Sequence, residues 1–149
     1  MKFLIQRVTQ ATVKFPELHE QRSIGIWLLV YVWIGKIDNE ISSEHLEMIA
    51  NKLIELKLFE DENGKIKRTL KEVQWELLVV SNFTLRWATK GWSHIDFWEA
   101  AGFDTAKALY DRLVNCFHAL PLHLQTWLFG AYMEVESIGD GPVNIVIDR

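Results

Sequence analysis

The sequence predicts an α+β fold of mostly antiparallel strands packed with two main helices. Three observations predict it. Strand-like segments outnumber helical ones, and only two stretches carry a sustained helical period. Two strand pairs are joined by turn-forming connectors, "KFPELHEQRS" and "IGDGP", that suit antiparallel neighbours.

Each element has its own signal. Phe3 to Val13 mixes apolar and polar residues and carries the β-branched tail "VTQATV", which reads as the first strand. Ile24 to Ile34, "IGIWLLVYVWI", is apolar on both faces and reads as a central strand. From Ser42 or Ser43 to Leu58, the residues Leu46, Ile49, Leu53 and Leu56 recur at helical spacing. A serine caps that start, and Glu44 and Glu47 suit the positive end of the helix dipole. "EDENGK" at 60–65 is a turn, and Leu77 to Leu85 is a third strand. Asp104 is expected to cap a second helix that buries Leu109, Tyr110, Leu113, Val114, Phe117 and Leu120 and stops at Pro121. Two closing strands follow, Thr126 to Ser137 and Val143 to Ile147.

Composition bounds the function. The 149 residues, with no linker, repeat or low-complexity stretch, read as one domain. A net charge of −4 argues against gripping nucleic acid by bulk electrostatics, while leaving room for contact with one RNA end. The longest apolar run, Ile26 to Ile34, is under half a bilayer crossing, so no membrane partner is expected. The start, Met1-Lys2-Phe3-Leu4-Ile5 and then Gln6-Arg7, carries no long apolar region or cleavage site. Cys116 is the single cysteine, which excludes an internal disulfide and suits a reducing, cytoplasmic compartment. Seven tryptophans suggest buried core or interface anchors, and with them an oligomer.

Familiar catalytic patterns are missing. Ser81 lacks a G-x-S-x-G elbow, and Cys116 fits a helix's apolar pattern as a small hydrophobe. The five histidines show no H-x-H or H-x-x-x-H spacing, there is no glycine-rich phosphate loop, and no metal or cofactor is expected. Two features remain. Ser81-Asn82-Phe83-Thr84 interrupts an apolar strand, either merely to end it or to set polar groups and free N–H donors at a pocket rim. "GDGPVNIVID" at 139–148 is either a turn before a strand or a functional dipeptide.

Five blocks then carry a resemblance. "LIQRVTQATV" at 4–13, "LFEDENGK" at 58–65, "LLVVSNFTL" at 77–85, "FGAYMEV" at 129–135 and "DGPVNIVID" at 140–148 occur in the order found in D-aminoacyl-tRNA deacylases, also called D-tyrosyl-tRNA deacylases. The chain resembles that family from Phe3 to Asp148. The resemblance implies a homodimer of a barrel-like fold that hydrolyses the ester between a D-amino acid, or glycine, and the terminal adenosine of tRNA. It implies that the Ser-Gln-x-Thr motif falls on Ser81, Asn82, Phe83 and Thr84, the ester-positioning and oxyanion wall. Gly141 and Pro142 match a Gly-cis-Pro motif that screens handedness in the partner's pocket, with Arg7 as its support. Phe129, Gly130, Ala131, Tyr132 and Met133 surround the adenosine. Lys90, with Lys65 and Lys67 behind it, is expected to meet phosphates of the acceptor end.

This chain departs from the family pattern at four places. Asn82 stands for glutamine, Asn144 for threonine and Gly139 for asparagine, and "KGWSHIDF" at 90–97 lacks a proline and carries an extra residue. Two alternatives therefore stay open: a non-catalytic paralogue that binds aminoacyl-tRNA, or an editing-domain-like deacylase with a shifted substrate.

Overall fold

The computed structural model describes residues 1–25, 27–73, 76–89 and 95–149. In chain order the strands are β1 (Lys2–Phe15), β2 (Glu20–Ile24), β3 (Trp27–Trp33), β4 (Lys57–Glu60), β5 (Ile66–Thr69), β6 (Glu76–Ser81), β7 (Ala88–Thr89), β8 (Ile95–Asp96), β9 (His123–Thr126) and β10 (Glu134–Asp148). The helices are α1 (Ser43–Ile54), the one-turn α2 (Leu70–Val73) and α3 (Phe103–His118), with 3₁₀ turns at Lys36–Glu40 and Phe83–Leu85.

Six strands form one mixed sheet in the order β10-β1-β3-β6-β9, with β2 also on β1. The pairings of β1 with β10, β2 and β3 are antiparallel, while β3–β6 and β6–β9 are parallel. Parallel neighbours need a long crossover, and α1 and α3 are carried by the two crossovers. The architecture is thus α+β, as expected, and a nearly closed barrel-like sheet. Arg22 of β2 donates to the Thr126 carbonyl of β9 across the remaining gap (3.2 Å).

The central strands read correctly. In β3 and β6, Leu28, Val30, Leu77 and Val79 join a core under α1 and α3, while Leu29, Leu78 and Val80 join a second core on the opposite face. β1 serves both: Phe3 and Ile5 enter the first core, and Val8, Ala11, Val13 and Phe15 the second. α1 buries Leu46, Ile49, Ala50, Leu53 and Ile54, and Ser42 caps it by accepting from the His45 N–H (3.2 Å). At the chain's start, the α-amino group of Met1 is paired with buried Asp38 at 2.7 Å.

Several boundaries differ from expectation. α1 ends at Ile54, because Leu58 and Phe59 are buried from the extended strand β4. The polar connector after β1 holds a strand of its own, β2, whose first four residues are exposed and which takes Ile24 from the predicted central strand. β6 stops at Ser81, since Phe83–Leu85 turns as a 3₁₀ helix. Gly102, rather than Asp104, occupies the cap of α3, and Asp104 sits in its first turn. The predicted strand Thr126 to Ser137 is broken, with β9 ending at Thr126 and β10 starting at Glu134. "IGDGP" is no hairpin turn but an interruption inside β10, which continues to Asp148. Trp33 is buried, whereas Trp87 and Trp98 are exposed rather than core anchors. Cys116 is only partly buried, and burial still raises its thiol pKa. Among the described residues no helix is long and apolar enough to cross a membrane.

Candidate functional site

Where the two cores meet lies a cleft of about 920 Å³ with three walls, lined by Val80 of the second core and Ala106 of the first. One is the end of β6 and its turn, from Val80 to Thr84; another is the segment from Phe129 to Val135; the third brings Phe97, Ala100 and Ala101 beside Phe103 and Ala106 of α3. All nine residues that the sequence assigned to the ester wall and the adenosine wall line this one cleft: Ser81, Asn82, Phe83, Thr84, Phe129, Gly130, Ala131, Tyr132 and Met133.

The β6 end explains the polar break in "VVSNFT". Asn82 donates its backbone N–H to the Val32 carbonyl (2.8 Å), extending the sheet by one bond. Its side-chain Oδ1 then accepts from the Thr84 N–H (2.9 Å) and from the Thr84 hydroxyl (2.6 Å). An amide acceptor one short arm from the backbone suits this capping role. The consequence is selective: the N–H groups of Asn82 and Thr84 are engaged, while that of Phe83, first in the turn, has no partner among the described residues. Phe83 is 63% exposed at the cleft.

The opposite wall is shaped by aromatic rings and one glycine. Gly130 has φ +77, and a Cβ there would stand 2.4 Å from Phe103 Cε2. Phe103 meets Phe129 edge-on at 5.3 Å between centroids. Tyr31 also faces the cleft, and burial raises its phenol pKa. Among the described lining residues there is no Asp, Glu, His, Lys or Arg. What the cleft offers is neutral: hydroxyls, an amide, a main-chain donor and aromatic faces.

Arg7, Gly141 and Pro142 lie elsewhere. β1 and β10 are in register at Gln6↔Asn144 and Val8↔Gly139; between these rungs β1 contributes Arg7 alone and β10 the residues 140–143. β10 therefore loops outward, with Gly141 at φ +109 and a cis Gly141–Pro142 bond. Arg7 is buried under the loop. Its Nη1 donates to the Leu58 carbonyl (2.7 Å), and its Nε makes an ionic contact with Asp140 Oδ2 at 2.8 Å whose angle is not that of a hydrogen bond. Its Nη2 lies 3.2 Å from where a Cβ on Gly141 would be. Gly139 and Asn144 occupy the rungs that bracket this loop, and Asn144 Oδ1 accepts from Gln6 Nε2 (2.9 Å). Gly141 and Pro142 are exposed and do not line this cleft.

Lys65 and Lys67 are exposed on the β4–β5 hairpin, and Lys90 lies outside the described residues. The sequence reading missed Tyr31, Phe97, Ala100, Ala101 and Phe103. Tyr31 alone left a trace, as the one hydroxyl in a strand otherwise apolar on both faces. Among the described residues no three His, Cys, Asp or Glu side chains gather as metal ligands.

Comparison with known proteins identifies relatives over the whole chain. A family model described as D-Tyr-tRNA(Tyr) deacylase matches residues 4–148. The chain is 39% identical to a D-aminoacyl-tRNA deacylase of Thermotoga petrophila, over 99% of this chain and 97% of the relative. It is 41% identical to one of Cytophaga hutchinsonii, over 97% and 95%. A solved structure of a c-Myc DNA unwinding element binding protein is similar at TM-score 0.87 and 33% identity, covering 100% of this chain and 99% of the other. A probable eukaryotic D-amino acid tRNA deacylase shares the fold at TM-score 0.84 with 17% identity, covering 99% and 98%.

Proposed function

The chain belongs to the D-Tyr-tRNA(Tyr) deacylase family, and we propose that its cleft cleaves the ester joining a D-amino acid, or glycine, to the terminal adenosine of tRNA. As a member of that family it is a hydrolase, a D-aminoacyl-tRNA deacylase.

The observation that carries the mechanism is the unpartnered N–H of Phe83 at the end of β6. Hydrolysis of an ester builds negative charge on the carbonyl oxygen, and a fixed donor aimed at that oxygen lowers the barrier. The Asn82 cap holds the Phe83 N–H in place. No charged base lines the cleft among the described residues, so the ester's own activation, with help from the adjacent ribose hydroxyl, supplies the attack by water. The protein's part is orientation and charge stabilisation. Ser81 and Thr84 flank the ester, and Phe129 to Met133 receive the adenosine. The exposed 141–142 dipeptide serves the cleft of a second copy, its carbonyls leaving room for hydrogen at the α-carbon and rejecting an L side chain. Arg7 holds the dipeptide out. Glycine, having no side chain, passes the screen.

The test is deacylation of D-Tyr-tRNA, Gly-tRNA and L-Tyr-tRNA by purified protein. The first two are cleaved and the third is spared; cleavage of none of them above the buffer rate overturns the proposal.

A further inference from the structure

The two principal walls of the cleft diverge from a single rung. β6 and β9 pair in parallel as far as Val79↔Thr126; beyond it β6 runs on to Ser81 and its turn, while the chain after Thr126 leaves the sheet for the wall at 129–133. Among the described residues no ladder hydrogen bond spans the walls above that fork. Tyr110 of α3 sits there with 2% of its surface exposed. Its hydroxyl donates to the Val79 carbonyl at 2.8 Å, two residues before Ser81. Burial raises its phenol pKa, and the nearby Trp127 backbone offsets part of that rise. Its ring packs on Phe129 at 5.4 Å between centroids, and Phe129 in turn meets Phe103 at the Gly130 bend.

One side chain, itself outside the cleft, thus touches the roots of both walls. We propose that Tyr110 is a positioning residue whose hydroxyl fixes the ester wall and whose ring fixes the adenosine wall, so that it sets the gap across which the aminoacyl-adenosine end is held. The roles of the two walls rest on the function proposed above; the mechanical link between them does not.

The experiment compares wild type, Tyr110→Phe, Tyr110→Leu and Leu113→Ala. Leu113 is a fully buried residue of the same helix that belongs to the core under α1 and α3. Amide hydrogen exchange is followed at 81–84 and 129–133, and kcat and KM are measured on D-Tyr-tRNA. Tyr110→Phe speeds exchange at 81–84 and lowers kcat by about tenfold with KM little changed. Tyr110→Leu also speeds exchange at 129–133 and raises KM. Leu113→Ala lowers the melting temperature but leaves exchange at both walls and both kinetic constants near wild type. The proposal is overturned if the Tyr110 variants shift only the melting temperature, or if Leu113→Ala loosens the walls as much. Should wild type show no turnover, the functional reading fails while the exchange data still decide this one. Should Tyr110→Leu not fold, Tyr110→Phe carries the test.

Discussion

Asn82 stands where the family resemblance leads one to expect a side chain one methylene longer, and its contacts show what this amide does here. Oδ1 accepts twice from Thr84 and closes the turn, which leaves Phe83 as the one backbone donor of the 82–84 stretch without a partner among the described residues. These contacts tie the side chain to the local backbone. Asn82→Ala removes that acceptor at a cost of about 1 kcal/mol in turn stability. Single-turnover kinetics then show a loss of about tenfold in rate, equivalent to about 1.4 kcal/mol. Asn82→Ser, which retains a capping oxygen, stays near wild type. Equal rates for wild type and Asn82→Ala would show that the cap has no part in positioning the donor.

At the scale of elements, β10 carries the argument. Its outward loop depends on a glycine at φ +109, a region that L side chains seldom occupy, with Val143 and Arg7 within 3.0–3.2 Å of the Cβ position. Gly141→Ala therefore destabilises the protein by about 1–3 kcal/mol. The melting temperature falls by about 2–4 °C for each of those kcal/mol, and cleavage of L-Tyr-tRNA rises relative to D-Tyr-tRNA. An unchanged melting point and an unchanged D/L ratio would contradict the role given to this loop. The same strand shows where sequence reading stops. A two-sided apolar run marked β3 as central, and the period of Leu109, Tyr110, Leu113 and Phe117 marked the buried face of α3, because burial leaves a direct imprint on residue type. The continuity of β10 leaves none. Gly and Pro at 139–142 carry the same letters whether the chain reverses or merely loops out, and only pairing with β1 distinguishes them. The parallel order of β3, β6 and β9 was hidden for the same reason, since strand direction is set by partners distant in sequence.

At the scale of the whole molecule, the site residues named from sequence that are described on the cleft and on β1–β10 fall into two groups that the single chain does not unite. The cleft gathers residues from 81–84 and 129–133, while Arg7, Gly141 and Pro142 make a separate exposed feature. The blocks were legible from the resemblance; the aromatic third wall, Phe97 and Phe103, was not, because a half-buried ring just before a turn and an exposed ring at a helix start look like ordinary surface. The proposed screen joins the two groups across a two-fold interface, in which each copy lends its loop to the other. Light scattering at micromolar concentration should give twice the chain mass of 17.4 kDa. A monomer under conditions of full activity would contradict a screen supplied by the partner.

The central claim is that a main-chain N–H, and not a side chain, stabilises the charge formed during hydrolysis. Phe83 permits a direct test, because proline is tolerated at the first position of a helical turn and Asn82 before it is already extended at φ −142, ψ 100. Phe83→Pro deletes the donor; Phe83→Ala deletes the ring and keeps the donor. Single-turnover deacylation of D-Tyr-tRNA should be about 10²–10³-fold slower in Phe83→Pro than in Phe83→Ala. Equal rates in the two variants would contradict the account.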